Sequence, residues 1–287
     1  MWITESVRKN INPAYIFLTS VKKYAEMFET NEIISVWDKR LIRGIKNYRR
    51  LAKQTEYKAG RDKERSARVF SHEEKTTEML NQLGVKNMYP GILEADDVIW
   101  WLTKNIPGEK IIVSVDQDML QLVDKKTTVY SPIKDVIIEY SNFESVVGVN
   151  IDNFLRYKSL MGDKSDNLPG VTRCGAKTAT KLVNECSTDQ ELIEKLGEEA
   201  LEPYFHNLKM IDLEQGDKHH PEDAKLYDDQ YKKLQSHKPN MSAFRDTATS
   251  MNMKKIVEDI AKWEDVFDRQ HLNNTLADIV NNLGLSK

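Results

Sequence analysis

Residues 92–118, ILEADDVIWWLTKNIPGEKIIVSVDQD, constrain the fold more than any other stretch of this chain. Glu94, Asp96 and Asp97 open a segment that reads as a helix, and Asp116 and Asp118 follow KIIVSV, which reads as a buried strand. Carboxylates therefore stand at the ends of two neighbouring elements, and in an open α/β sheet sites form at the carboxyl ends of parallel strands. Acids this close raise one another's pKa unless a cation compensates. A hard divalent ion compensates most directly, because Mg²⁺ takes oxygen ligands, keeps several waters and needs only one or two carboxylates per ion. The pattern predicts a Mg²⁺ cluster with two ions. Singly, acids in a first helical turn and Asp after a strand are ordinary structural chemistry; their conjunction points to metal.

With 287 residues, 40% of them hydrophobic and 30% charged, the chain is long enough for a sizeable core and two packed sub-regions. It contains no run of about 18 apolar residues to span a bilayer, and MWITESVRKN lacks the apolar centre of a signal peptide. Two cysteines, Cys174 and Cys186, fit a reducing compartment and indicate neither a disulfide framework nor a zinc site. A cytoplasmic protein with no membrane association is expected.

A net charge of −3 argues against a nucleic-acid partner only if the charge is evenly spread. It is not: Lys39 to Arg68 holds twelve basic residues, Arg49, Arg50, Lys53, Lys58 and Arg61 among them, against three acids, with Tyr48 and Tyr57 interleaved. Such a segment neutralises phosphates and stacks bases; the alternative is a solvated basic helix.

Around it the pattern alternates. IFLTSVKKYAEMFE, with Ile16, Val21, Tyr24 and Phe28 on one stripe, predicts an amphipathic helix; EIISVWD predicts a strand ending in Asp38, a further candidate for the acidic cluster. HEEKTTEMLNQLGV predicts a helix stopped at Gly84, and KNMYPGI a short strand and turn. After Asp118 come a short helix, MLQLV, then two short strands, TTVYSP and DVIIEY, and Ser141 with Glu144 forms a capping-box signal. Alternating strands and helices up to about residue 140 give an α/β class, a central mainly parallel sheet flanked by helices, with a largely helical remainder.

A second informative stretch is DNFLRYKSLMGDKSDNLPGVTRCGAKTATKLV, residues 152–183. A helix runs to Met161 and ends at Gly162, and Asp163 and Asp166 are spaced to turn both carboxylates toward one point. A turn with Pro169, Gly170 and Gly175 then feeds a helix starting near Ala176, with Lys177 and Thr178 in its first turn. Such a turn presents backbone N–H groups and a positive dipole end to phosphate; the alternative is a simple helix hairpin.

Asp38, YKAGR, LEADD, SVDQDML and MGDKSDNLPGV with CGAKTATKL, in that order, resemble the 5′-nuclease family: flap endonucleases, the 5′-nuclease domain of bacterial DNA polymerase I, bacteriophage 5′ to 3′ exonucleases and RNase H-like phage enzymes. Length and layout resemble the phage enzymes most, and the motifs extend over roughly residues 10–215, ending at HNLKMIDL. The resemblance implies metal ligands at Asp38, Glu94, Asp96 and Asp97 in one group, with Asp116 and Asp118 reaching toward Asp163 and Asp166 in the other. It implies two Mg²⁺ or Mn²⁺ ions, about 3.5–4 Å apart, hydrolysing a phosphodiester near a 5′ end. Lys58 and Arg61 match the basic pair at the base of the family's helical arch, here about 39–68, and would contact the scissile phosphate as catalytic residues. Residues Gly170 to Lys177, including Arg173 and Gly175, resemble a helix–three-turn–helix that grips duplex phosphates with a K⁺ on its turn carbonyls. Phosphate contacts carry no sequence code, so DNA with a 5′ flap or 5′ end, or an RNA–DNA hybrid, would be recognised by shape. The implied domains are a nuclease core at 1–140, a DNA-binding region at 141–215 and a C-terminal helical region at 216–287. Phage-type replication, in a host-cell cytoplasm, is the implied setting.

The chain departs from the family at its start. Members open with an apolar strand ending in a ligating Asp, whereas here Glu5 is the sole acid upstream of Glu26 and TESVRKN is not an apolar strand. One central strand and one ligand are therefore expected to be missing, through a truncated start, a separate N-terminal fragment chain that completes the sheet, or conversion to a DNA-binding module that does not cut.

Residues 216–287 say less. GDKHHPEDAKLYDDQYKKLQSHKPN reads as a charged loop with a helical piece, with His219 and His220 at the surface; MKKIVEDIAKWEDVF reads as one amphipathic helix carrying Trp263. The last predicted helix places Leu272, Leu276, Ile279 and Leu283 on one stripe, which is core or, alternatively, a docking surface for a clamp or single-strand-binding protein.

Overall fold

The computed structural model describes residues 12–52, 63–235 and 237–268. In chain order its helices are α1 (Pro13–Met27), α2 (Tyr48–Ala52), α3 (Lys63–Gln82), α4 (Ala95–Asn105), α5 (Phe143–Val147), α6 (Phe154–Met161), α7 (Ala176–Glu185), α8 (Asp189–Leu196), α9 (Leu201–Ile211), α10 (Glu214–His219), α11 (Pro221–Leu234), α12 (Met241–Ser250), α13 (Lys254–Glu258) and α14 (Ile260–Phe267). The strands are β1 (Ile34–Val36), β2 (Lys86–Met88), β3 (Lys110–Val113), β4 (Thr127–Ser131) and β5 (Val136–Ile138). The chain divides into two compact units, Met1–Trp37 with Asp62–Met88 and Asp229–Lys287, and Asp38–Arg61 with Tyr89–Asp228.

In the first unit, Pro13 begins α1 with φ already set for a helix, and the Asn12 side chain accepts from the Ala14 N–H at 2.9 Å. The fully buried positions of α1 are Ala14, Leu18 and Ala25; of the predicted stripe Ile16, Val21, Tyr24 and Phe28, all half-buried, Val21 packs against this core. Leu18 with small Ala14 and Ala25 packs in one core with Met79, Leu80 and Leu83 of the α3 region, with Tyr15, Phe17 and Val21 partly buried against it. α3 stops where expected: Gly84 has φ +79°, and the Val85 N–H reaches back to the Leu80 carbonyl at 3.0 Å. β1 and β2 pair in parallel, Ser35 opposite Asn87, and the Trp37 indole donates to the Asn87 side chain at 2.7 Å. Phe244, Trp263 and Phe267 complete this core. The stretch read as one helix around Trp263 is two, α13 and α14, broken at Asp259.

The second unit is built on a three-stranded sheet, β3–β4–β5, in which β3 and β4 are parallel and β4 and β5 antiparallel. Parallel pairing dominates, as expected, and among the described residues the strands form two small sheets. β3 is not the buried strand its composition predicts. Ile112 faces the core, whereas Ile111 and Val113, and Val115 just beyond the strand, are exposed, because among the described residues the second face of β3 is uncovered; β3 is also paired along one edge only. Ile112, Val129 and Ile138 of the three strands pack with Met119, Phe143, Phe154, Leu160, Leu192 and Tyr204. Phe143 and Phe154 meet edge to face at 5.7 Å.

The Ser141–Glu144 capping signal is not used: α5 starts at Phe143 and the Ser141 hydroxyl donates to Glu139. Residues 216–240, expected to be a charged loop with a helical piece, hold the end of α10 and all of α11. His219 is exposed as expected but stacks on Tyr48 with ring centroids 4.6 Å apart. The Leu272–Leu283 stripe lies outside the described residues. No helix among the described residues is long and apolar enough to cross a membrane.

Candidate metal centre

Every described candidate ligand belongs to the second unit. β3 delivers Asp116 and Asp118 at its carboxyl end: the Asp116 N–H is held by the Ser114 hydroxyl at 3.0 Å, and the Asp116 carboxylate accepts from the Asp118 N–H at 2.9 Å. This local turn faces the end of α6. There Gly162 takes φ +69° and the chain doubles back, Asp163 and Leu168 exchanging hydrogen bonds of 2.8 and 2.7 Å. Neither Gly162 nor Gly170 has room for a Cβ, since the first would run into the Leu168 carbonyl and the second into that of Met161. Buried Asn207 fastens the loop from α9, donating to the Ser159 carbonyl at 3.0 Å and the Pro169 carbonyl at 2.8 Å.

This winding sets Asp163 opposite Asp118 with Lys158 between them. The Lys158 ammonium is 2.8 Å from Asp163 Oδ2 and 3.0 Å from Asp118 Oδ1, and the residue is 5% exposed. The contact to Asp118 is an obliquely aligned ion pair, and the Lys158 ammonium is the one described polar partner of this buried oxygen. Burial, aided by Asp116, pushes the Asp118 carboxyl up to about 6 against the pull of Lys158. For Asp163 burial also acts upward, but hydrogen bonds from Lys158 and Ser165 outweigh it and its pKa is lowered. Lys158 is raised: burial disfavours the ammonium, and the two carboxylates more than restore it.

Asp118 therefore holds a proton more tightly folded than unfolded. Native-state stability from this group is complete below its ordinary pKa and is lost as pH rises through about 6. In EDTA, urea unfolding of the Asp118→Asn variant beside the parent should show this loss, of the order of 2–3 kcal/mol between pH 4 and pH 7, in the parent only. Equal pH slopes would refute it.

The acids before and inside α4 are engaged differently. Asp97 is 2% exposed and receives the Arg49 guanidinium in a bidentate pair at 2.7 and 2.8 Å, and it also accepts from the Glu94 N–H at 3.0 Å. Arg49 completes its donors on the Met210 carbonyl at 3.1 Å. Read in sequence as a DNA contact, Arg49 is turned inward and only 2% exposed. Arg50 stays half exposed with its guanidinium 4.0 Å from Glu94 Oε1. Glu94 is buried, Asp96 and Asp166 are half-buried, and Asp38 is exposed. Among the described residues no three acidic, histidine or cysteine groups gather as a ready metal site. The structure brings Asp118 and Asp163 together around one ammonium, with Asp116 beside them through the Asp118 N–H, while Glu94 and Asp97 meet at the start of α4. A buried ammonium between hard oxygen donors marks a position suited to a cation, and to this extent the residues fit a divalent ion.

Gly175 caps α7, and Arg173, Lys177 and Thr178 are exposed around it, with Arg173 at φ +62°. Lys53, Tyr57, Lys58 and Arg61 lie outside the described residues. Sequence reasoning passed over Lys158, although a lysine four residues after Phe154 on an otherwise apolar helix face is itself a sign of buried counter-charges. It also passed over Asp223, which is 1% exposed and accepts from the backbone of Ile92 and Leu93 at 2.9 and 3.0 Å, holding the entry to α4.

Comparison with known proteins agrees with this architecture. Residues 2–148 match the family model of the 5'-3' exonuclease N-terminal resolvase-like domain, and residues 149–262 that of the 5'-3' exonuclease C-terminal SAM fold. The 5'-3' exonuclease of Buchnera aphidicola subsp. Acyrthosiphon pisum is 39% identical over 126 residues, 42% of this chain and 44% of the relative. That of Halalkalibacterium halodurans is 30% identical over 202 residues, 68% and 64%. DNA polymerase I of Lactococcus lactis subsp. lactis is 32% identical over 199 residues, 64% and 21%. The chain thus spans less than two thirds of these curated relatives. A T5 5'-exonuclease structure with bound zinc shares the fold at TM-score 0.63 and 21% identity, covering 82% of this chain and 95% of that one. The catalytic core of Rad2 in complex with DNA substrate shares it at 0.50 and 15%, covering 92% and 87%. With both family models matched in order along one chain, this α/β protein belongs to the 5′-3′ exonuclease family.

Proposed function

We propose that the chain is a metal-dependent, structure-specific 5′-nuclease that hydrolyses phosphodiesters in DNA carrying a 5′ flap or 5′ end, or in an RNA–DNA primer. One observation carries this reading: Asp118 and Asp163, from two different elements, are held face to face across a buried cation. Asp116, Asp118, Asp163 and Asp166 would hold one Mg²⁺ or Mn²⁺, and Asp38, Glu94 and Asp96 a second, with Asp97 of that group already paired to Arg49. Bound there, such ions would supply an activated water and charge neutralisation at the leaving oxygen. Lys58 and Arg61 neutralise charge developing on the scissile phosphate. The turn from Gly170 to Thr178, with exposed Arg173 and Lys177, positions the duplex by its phosphates, with a K⁺ on its carbonyls. The setting is phage-type replication in a cytoplasm, and the domain limits follow the core, DNA-binding and C-terminal regions read from the sequence.

A second reading is favoured by the one-sided pairing of β3 and its exposed Ile111, Val113 and Val115: the site is completed by a further parallel strand from another chain. One experiment tests both. The 287-residue chain is given a 5′-labelled flap duplex and Mg²⁺, beside an Asp116→Ala control, chosen because Asp116 is exposed and its loss spares the core. Cutting by the parent that is lost in the control and in EDTA is expected. Binding without cutting, rescued by an added apolar strand peptide ending in Asp, would establish the second reading; binding without rescue would leave a DNA-binding module.

A further inference from the structure

We propose that Lys158 is the protein's own occupant of one cation position: its ammonium fills the space between Asp118 and Asp163 in the ion-free chain, withdraws when a divalent ion enters, and thereby sets how tightly that position holds the ion. The inference rests on the reading of Asp118 and Asp163 as metal ligands. Three observations carry it. Lys158 lies on the inner face of α6, four residues after buried Phe154, where lysine is rare without counter-charges. Its ammonium is within 3.0 Å of a carboxylate oxygen from each of two elements. Asp118 Oδ1 is buried and its one described polar partner is the Lys158 ammonium at 3.0 Å, whose approach is oblique, and a small spherical ion would satisfy it better.

The consequences follow from electrostatics. An ammonium and a divalent ion cannot share this space, because like charges at contact distance in a partly desolvated site repel strongly. Lysine suits the role because its ammonium is a point charge on a flexible four-carbon stem that can swing out without disturbing the helix backbone. While in place it keeps the two acids from repelling each other, so the loop at Gly162–Gly170 is held in its binding geometry before any ion arrives. A lysine serving only as a structural ion pair would make a different prediction, since its removal would loosen the acids and leave ion affinity unchanged or reduced.

The test uses the full chain without DNA, titrated with Mn²⁺ alone and read by electron paramagnetic resonance, for the parent and Lys158→Met. At one position the variant is expected to bind roughly tenfold or more tightly than the parent. Unchanged or weaker binding by a folded variant overturns the proposal and leaves the metal-site reading intact; no Mn²⁺ bound by either protein overturns both. Should Lys158→Met fail to fold, the parent decides the matter. Acetylation of Lys158, followed by peptide mass spectrometry, should rise several-fold on adding Mg²⁺, and an unchanged rate overturns the proposal.

Discussion

Replacing Arg49 by methionine is expected to cost about 3–5 kcal/mol of stability, the range seen when one partner of a buried ion pair is removed. The side chains of Arg49 and Asp97 are 3% and 2% exposed, so after the change the Asp97 carboxyl would stay in the interior without its counter-charge, keeping the hydrogen bond from the Glu94 N–H. The Met210 carbonyl would lose its donor as well. Arg49 does not escape by deprotonating: burial disfavours the guanidinium, but the charge and hydrogen bonds of Asp97 hold its pKa well above the ordinary value. The measurement is urea unfolding of Arg49→Met, Asp97→Asn and the double variant. The two losses should be strongly non-additive, because removing both charges leaves no ion stranded. A single-variant loss below about 1 kcal/mol would show that the pair does not hold the second unit together.

Much of that unit could be read from local pattern. The stop at Gly162, the start of α7 at Ala176, the strand pair β4–β5 and the acids flanking α4 and β3 all follow from short-range spacing and turn chemistry, which act within a few residues. What could not be read depends on partners far along the chain. Arg49 is one of twelve basic residues in its segment, and nothing local distinguishes the one that turns inward to an aspartate 48 positions away. The composition of β3 indicates a buried strand, yet burial is decided by what covers each face, and here one face of Ile111 and Val113 has no cover among the described residues. The charged run from Gly216 reads as a loop because its helices draw stability from tertiary anchors and not from an apolar stripe: Tyr48 against His219, and Asp223 on the backbone of Ile92 and Leu93. The candidate centre divides in the same way. Motif order identified the acids, but only the fold shows which of them already carry a cation and which have been taken up by structure.

Asp223 is the anchor whose loss is expected to reach the centre from furthest away. Its carboxylate lies 131 positions beyond the backbone it holds, accepting from the Ile92 N–H at 2.9 and 3.1 Å, the Leu93 N–H at 3.0 Å and the Tyr227 hydroxyl at 3.0 Å. Gly91 admits it because any Cβ there would collide with its oxygens. Asp223→Ala strands two backbone donors and a hydroxyl in the interior, at about 1–3 kcal/mol for each buried group left unsatisfied, so a total loss of about 3–5 kcal/mol is expected after partial rehydration. Asp223→Asn should lose less, since its amide oxygen keeps one acceptor while its NH₂ faces donors. Hydrogen exchange separates this account from general softening: the Ile92 and Leu93 amides should exchange much faster in Asp223→Ala, while those of α7, which Asp223 does not touch, keep their protection. Equal acceleration in both places would mean that Asp223 supports the unit as a whole. Selective acceleration would show that the carboxylate holds the entry to α4 in place, and with it Glu94 and Asp96.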